Sequence, residues 1–140
     1  MRTRRGTATV EFALIAPLIL LLTAAVLDYT MLLRTAISVA DAARAGAQYG
    51  SLSAANASNT AGMQSAALNA APDITGLTAT AAKVCQCSDG STINCSGTCA
   101  SGPVQVYVQV TAQATCSAIF SYAPLPFGGV VVSTASMRAQ

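Results

Sequence analysis

The sequence predicts an α+β fold: a long N-terminal helix, a short second helix and a small three-stranded antiparallel sheet, in that order along 140 residues. Three observations lead there. An apolar run opens the chain between Phe12 and Leu27, an Ala-rich stretch without turn residues carries it on to Gly50, and apolar residues alternate with polar ones from Val104 to Cys116. One small domain is the most that this length holds. Charged residues make up 9% of the chain, far below the quarter or so of an average soluble protein, while 53% is apolar. That balance excludes a disordered polyelectrolyte and points to a membrane or an assembly.

The first element is a helix that suits a bilayer. FALIAPLILLLTAAVL, residues 12–27, contains Thr23 as its only polar residue. Extended to Leu33 it reaches 22 residues, or about 33 Å of helix against a hydrocarbon core of roughly 30 Å. Arg2, Arg4 and Arg5 precede it, whereas the following basic residues, Arg34 and Arg44, are fewer and spread out. The positive-inside rule then puts the N-terminus in the cytoplasm and exports the rest, as a single pass. The helix is expected to run from Thr7 to about Tyr49, roughly twice what a bilayer needs, so half of it protrudes. A removable signal peptide is the competing reading, but no signal-peptidase site framed by turn residues interrupts the stretch. Pro17 removes a backbone hydrogen bond and is expected to bend the helix. Glu11 stands immediately before the apolar run, where a carboxylate in hydrocarbon costs several kcal/mol without a positive partner. A solvated interfacial position is the alternative for it, and Asp28 is read as the solvated outer boundary.

Beyond Gly50, SLSAANASNTAG reads as a loop, with Asn59 or Thr60 available to cap a short helix that carries Met63, Ala67, Ala70 and Ala71 at helical spacing. Pro72 and Asp73 stop it. Residues 75–87 form the first strand. Residues 104–116 form the clearest one, with Val104, Val106, Val108, Val110, Ala112, Ala114 and Cys116 on one face and Gln105, Tyr107, Gln109, Thr111, Gln113 and Thr115 on the other. Pro124, Pro126, Gly128 and Gly129 mark a turn, and a third strand runs from Val130 to about Arg138.

The five cysteines belong to this head, and so many in a short chain suit an oxidising compartment. If the first two strands pair as a hairpin, Cys85 and Cys87 lie at its loop end beside Cys95 and Cys99. They then pair in one of the two cross arrangements, or Cys95 closes on Cys99 and the other two stay reduced. Cys116 lies about 40 Å along the second strand from that end at roughly 3.3 Å per residue, and a disulfide needs Cα atoms within about 7 Å. It is therefore the expected unpaired, buried thiol. A four-thiolate zinc site is the competing reading, but its spacing is C-x-C and C-x3-C and metal thiolates are uncommon where disulfides form.

Several function classes find no residues to carry them. The chain has no His, which removes Ser-His and Cys-His nucleophiles and His-based metal sites. No phosphate-binding glycine loop occurs, and Asp73 and Asp89 read as lone loop carboxylates, so no catalytic residue, cofactor or metal is assigned. Without the three N-terminal arginines the remainder carries four basic and five acidic residues, which offers nucleic acid no electrostatic footprint.

The string RGTATVEF, residues 5–12, has Gly6, then four residues, then Glu11 and Phe12 at the mouth of the apolar helix. It resembles the prepilin cleavage signal of type IV pilins. The resemblance implies that a membrane-embedded aspartyl peptidase cuts between Gly6 and Thr7. Residues 1–6 are then a leader, and Glu11 becomes the fifth residue of a 134-residue chain. Thr7 departs from the Phe or Met common at the first mature position of ordinary type IV pilins. The wider sequence is similar to the TadE-like pseudopilins of tight-adherence (Tad) pilus systems, with Pro17 in the span, Asp28 and Tyr29 at its exit, and Ala42, Ala43, Arg44, Gly46 and Ala47 in an AAR-x-GA helix.

The resemblance implies a division into leader 1–6, helix 7–50 with a membrane span at about 12–33, and exported head 51–140. It also implies a non-enzymatic pseudopilin or minor pilin, built into or priming a Tad pilus for surface attachment. Its partners are the prepilin peptidase, the bacterial inner membrane before assembly, and other pilin or pseudopilin subunits met through the N-terminal helix. Within such a bundle the freed amine of Thr7 is the nearest cation for Glu11, and Ala8, Ala13, Ala16, Ala24 and Ala25 permit close helix approach. The alternative is an assembly factor that keeps its helix in the membrane and carries an exported, disulfide-bonded domain.

Overall fold

The computed structural model describes residues 7–100, 102–117 and 129–139, with side chains from Thr9 onward. Residues 1–6, the expected leader with Gly6 as its last residue, lie outside the described residues, as do Pro124, Pro126 and Gly128 of the expected turn.

One helix, α1, occupies Thr7–Ser51, about 67 Å long at 1.5 Å per residue. Pro17 lies inside it, and its missing N–H frees the carbonyl of Ala13. Two short helices follow, α2 at Ala54–Ser58 and α3 at Thr60–Ala70. The segment expected as a loop after Gly50 therefore contains helix α2. The Ser53 hydroxyl accepts from the Asn56 N–H at 3.2 Å and starts it, and Ala57 is buried beneath it. Asn59 caps α3, accepting from Gly62 N–H at 2.9 Å. In α3 the buried residues are Met63 and Ala67, while Ala70 turns outward.

Among the described residues the sheet has four strands, not the expected three: β1 at Thr78–Gln86, β2 at Thr92–Ile93, β3 at Gln105–Cys116 and β4 at Gly129–Arg138, in the order β2-β1-β3-β4. All neighbours are antiparallel. The extra strand has two residues, pairs with Cys85 and Gln86, and is separated from the bridged Cys95 by Asn94 alone, so the disulfides hold this part of the loop against β1. Pairing of Gln86 with Gln105 and of Thr78 with Gln113 makes β1 and β3 the hairpin.

The alternation in β3 divides the sheet. Val108, Val110, Ala112, Ala114 and Cys116 are buried, and the other face carries Gln109, Thr111, Gln113 and Thr115. Among the described residues two clusters form the core. One joins Val39, Ala42 and Ala43 of α1 to Ala71, Ala112 and Ala114, and the other joins Ala47 to Ala57, Met63, Ala67, Val108 and Val110. The second half of α1 is thus one layer of the head. β3 runs down it: Val108 meets Gly50, Val110 meets Gly46, and the Cys116 sulfur accepts from the Thr35 hydroxyl at 3.8 Å.

Candidate functional site

The half of α1 that the head leaves uncovered is the most conspicuous surface of the chain. Val10, Phe12, Leu14, Ile15, Leu18, Ile19, Leu20, Leu21, Leu22, Val26 and Leu27 are all exposed. Burying such side chains is worth about 1.5–3 kcal/mol each, so keeping eleven of them in water forgoes of order 20 kcal/mol. That exceeds the 5–15 kcal/mol net stability of a typical domain. Apolar surface on every side of the helix requires lipid or neighbouring helices around it. Among the described residues this is the one helix long and apolar enough to cross a membrane.

Its few polar groups are arranged for that setting. The Thr23 hydroxyl donates to the Leu20 carbonyl at 2.9 Å and the Thr30 hydroxyl to Val26 at 2.8 Å. Both are satisfied within the helix, as a dry environment demands. Glu11 and Phe12 are exposed at the N-terminal end. The structure brings no described cation to Glu11, and the side chain of Thr7 is not among those described.

Asp28 departs from expectation. It is 1% exposed, not a solvated boundary residue. The helical repeat supplies the reason. Asp28 lies eleven residues, or three turns, before Val39, so Ala24, Asp28, Thr35, Val39, Ala42, Ala43 and Gly46 share one face. The buried stripe therefore continues four residues past Asp28 to Ala24. Tyr29, one position round the helix, is exposed.

Small residues make the close helix–head contact possible. A Cβ on Gly46 would meet the Met63 carbonyl oxygen at 2.7 Å and Val110 Cγ1 at 3.0 Å, and one on Gly50 would collide with the Met63 sulfur. Arg44 points away and pairs with Asp41 at 3.3 Å. Where the apolar segment gives way to the head, Arg34 Nη2 donates to Asp73 Oδ2 at 2.8 Å. Asp73 therefore has a partner, 39 positions distant in sequence. Asp89 also has one: its carboxylate accepts from the Ser91 hydroxyl at 2.6 Å and the Ser91 N–H at 3.0 Å. These bonds favour the ionised form and hold its pKa below the usual value.

At the opposite end of the head, Cys85 is bridged to Cys95 and Cys87 to Cys99, with Cα separations of 5.1 and 5.6 Å. This is one of the two cross arrangements, and it consumes all four thiols of the alternative zinc site. Cys116 is a buried free thiol. Because β3 begins beside Cys87 and ends at Thr35, the bridged loop lies beyond the C-terminal end of α1, at the tip farthest from the apolar segment.

The model of the TadE-like protein family matches residues 6–48. The matched stretch contains Gly6, Glu11, Phe12 and Pro17 and ends within the part of α1 that packs on the sheet. No curated protein and no solved structure matches the chain.

Proposed function

We propose, from the TadE-like stretch at residues 6–48, that the chain is a non-enzymatic, pilin-like subunit of a Tad pilus, either a minor pilin or a pseudopilin that primes the fibre. One observation carries the reading: the TadE-like helix is bare and apolar where the head leaves it and packed with small residues where the head begins. Such a helix is stable in lipid before assembly and in a bundle of like helices afterwards, because either surrounding covers the same surface.

In this reading Thr7 to Leu33 contains the membrane anchor, with a span at about residues 12–33, the N-terminus cytoplasmic and the head exported. Export accounts for the two disulfides at the far tip, which need an oxidising compartment. The prepilin peptidase removes residues 1–6 at Gly6, and the Thr7 amine, on the same chain or a neighbour, neutralises Glu11 once the helices leave the lipid. Pro17 loosens one turn of the helix that has to pass from one surrounding to the other.

Fractionation of cells that display Tad pili tests the role. Recovery of the chain in sheared surface fibres is the expected result. Confinement to the inner membrane under the same conditions would overturn the fibre role in favour of a membrane-retained assembly factor.

A further inference from the structure

We propose that the recess beside Arg34 and Asp73 binds the headgroup of an amine-bearing zwitterionic phospholipid, a phosphoethanolamine lipid in the exported leaflet. The inference rests on the membrane reading of α1 given above. A recess of about 270 Å³ opens between α1, the connection after α3 and the end of β3, with Met31, Arg34, Thr35, Asp73, Thr75 and Ser117 in its wall. It is smaller than a drug-sized cavity of about 300–1,000 Å³ and suits a compact polar group. Its position is particular. Arg34 is the first residue after Leu33, the end of the span, and Met31 lies within the last turn of the span, so the recess straddles the boundary between hydrocarbon and headgroups.

The wall presents a charge pair rather than a single charge. Arg34 Nη2 donates to Asp73 Oδ2 at 2.8 Å, and both side chains keep about half or more of their surface open, 65% and 48%. A guanidinium has five N–H donors and a carboxylate can accept on both oxygens, so each partner retains capacity for a ligand. A lipid phosphate accepts from the remaining guanidinium N–H groups, and the ammonium two carbons away donates to the free oxygen of Asp73. The hydroxyls of Thr75 and Ser117 supply further polar contacts. A phosphatidylglycerol headgroup brings the phosphate without the ammonium and meets the Asp73 carboxylate as a like charge. A choline headgroup cannot donate a hydrogen bond to that carboxylate.

The test reconstitutes the full chain in vesicles of equal parts phosphatidylethanolamine, phosphatidylglycerol and phosphatidylcholine, extracts it gently, and counts the retained lipids by native mass spectrometry. Phosphatidylethanolamine is expected about tenfold enriched over the other two, the range of one charge-assisted hydrogen bond. Asp73→Asn should insert equally and lose that preference. Exchanging the pair, Arg34→Asp with Asp73→Arg, keeps the ion pair but reverses it against the leaflet, and should not restore the preference. A wild-type chain that inserts and retains the three lipids in bulk proportion would overturn the headgroup site and leave the membrane reading standing. Failure to insert at all would overturn both, and a restored preference in the exchanged pair would reduce Arg34–Asp73 to a structural strut.

Discussion

A Cβ placed on Gly46 of α1 would lie 2.7 Å from the backbone carbonyl oxygen of Met63 in α3. Backbone cannot rotate away as a side chain does, so Gly46→Ala has to push the two helices apart. The methyl gains up to about 1 kcal/mol in helix propensity, while overpacking costs about 1–3 kcal/mol, and the balance is destabilising. At Gly50 the obstruction is the flexible end of the Met63 side chain, which can yield. Thermal unfolding of the detergent-solubilised chain should therefore show Gly46→Ala melting below wild type by several degrees and Gly50→Ala losing less. The reverse order would contradict the packing described for α1 and α3.

The cysteine map is open to direct chemistry. Peptide mapping of the non-reduced chain should return Cys85–Cys95 and Cys87–Cys99. Cys116, buried on the inner face of β3, should resist alkylation until the head is denatured. Closing each loop contributes about 2–4 kcal/mol, so Cys87→Ser with Cys99→Ser should lower stability by an amount in that range. A bridge to Cys116 would break the β1–β3 register.

Asp89 makes the tip loop sensitive to acid. Its folded pKa is lowered by the bonds from Ser91. The contribution of those bonds is therefore fully present above the ordinary aspartate pKa and fades as pH falls through the lower folded value. Gly90, at φ 85°, completes the turn by donating its N–H to the Cys87 carbonyl at 2.9 Å. Asp89→Ala should speed exchange of the Ser91 amide near neutral pH. Equal exchange in variant and wild type would show that the carboxylate does not hold the turn.

Glu11 is exposed in the single chain, so membrane insertion makes little demand on it, whereas a dry helical bundle does. In the proposed bundle the Glu11 carboxylate neutralises the Thr7 amine, and removing it leaves that charge buried without a partner at a cost of several kcal/mol. Glu11→Ala is expected to insert and be processed yet to co-purify with other pilus subunits at least tenfold less. Recovery equal to wild type would leave Glu11 as a solvated interfacial carboxylate.

The parts of this fold that were legible in the sequence are those fixed by a period or by a reach. Alternation placed the buried face of β3, the apolar run placed the first half of α1, and strand length separated Cys116 from the loop cysteines. Helix α2 escaped because Ser53 to Ser58 has no apolar period, and it stands on a cap and one buried Ala57. Strand β2 owes its place to two disulfides rather than to its own residues. The Arg34–Asp73 pair joins positions 39 apart, and nothing local announces it. Asp28 did carry a signal, its three-turn spacing from Val39, but as an acidic residue at the end of an apolar run it reads more naturally as a solvated boundary.

The most direct test is the intact mass of the chain isolated from cells that assemble the pilus. Processing at Gly6 requires a chain that begins at Thr7, lighter by residues 1–6, with a Gly6→Ala variant that keeps them. A wild-type chain that still begins at Met1 while pili assemble would contradict it.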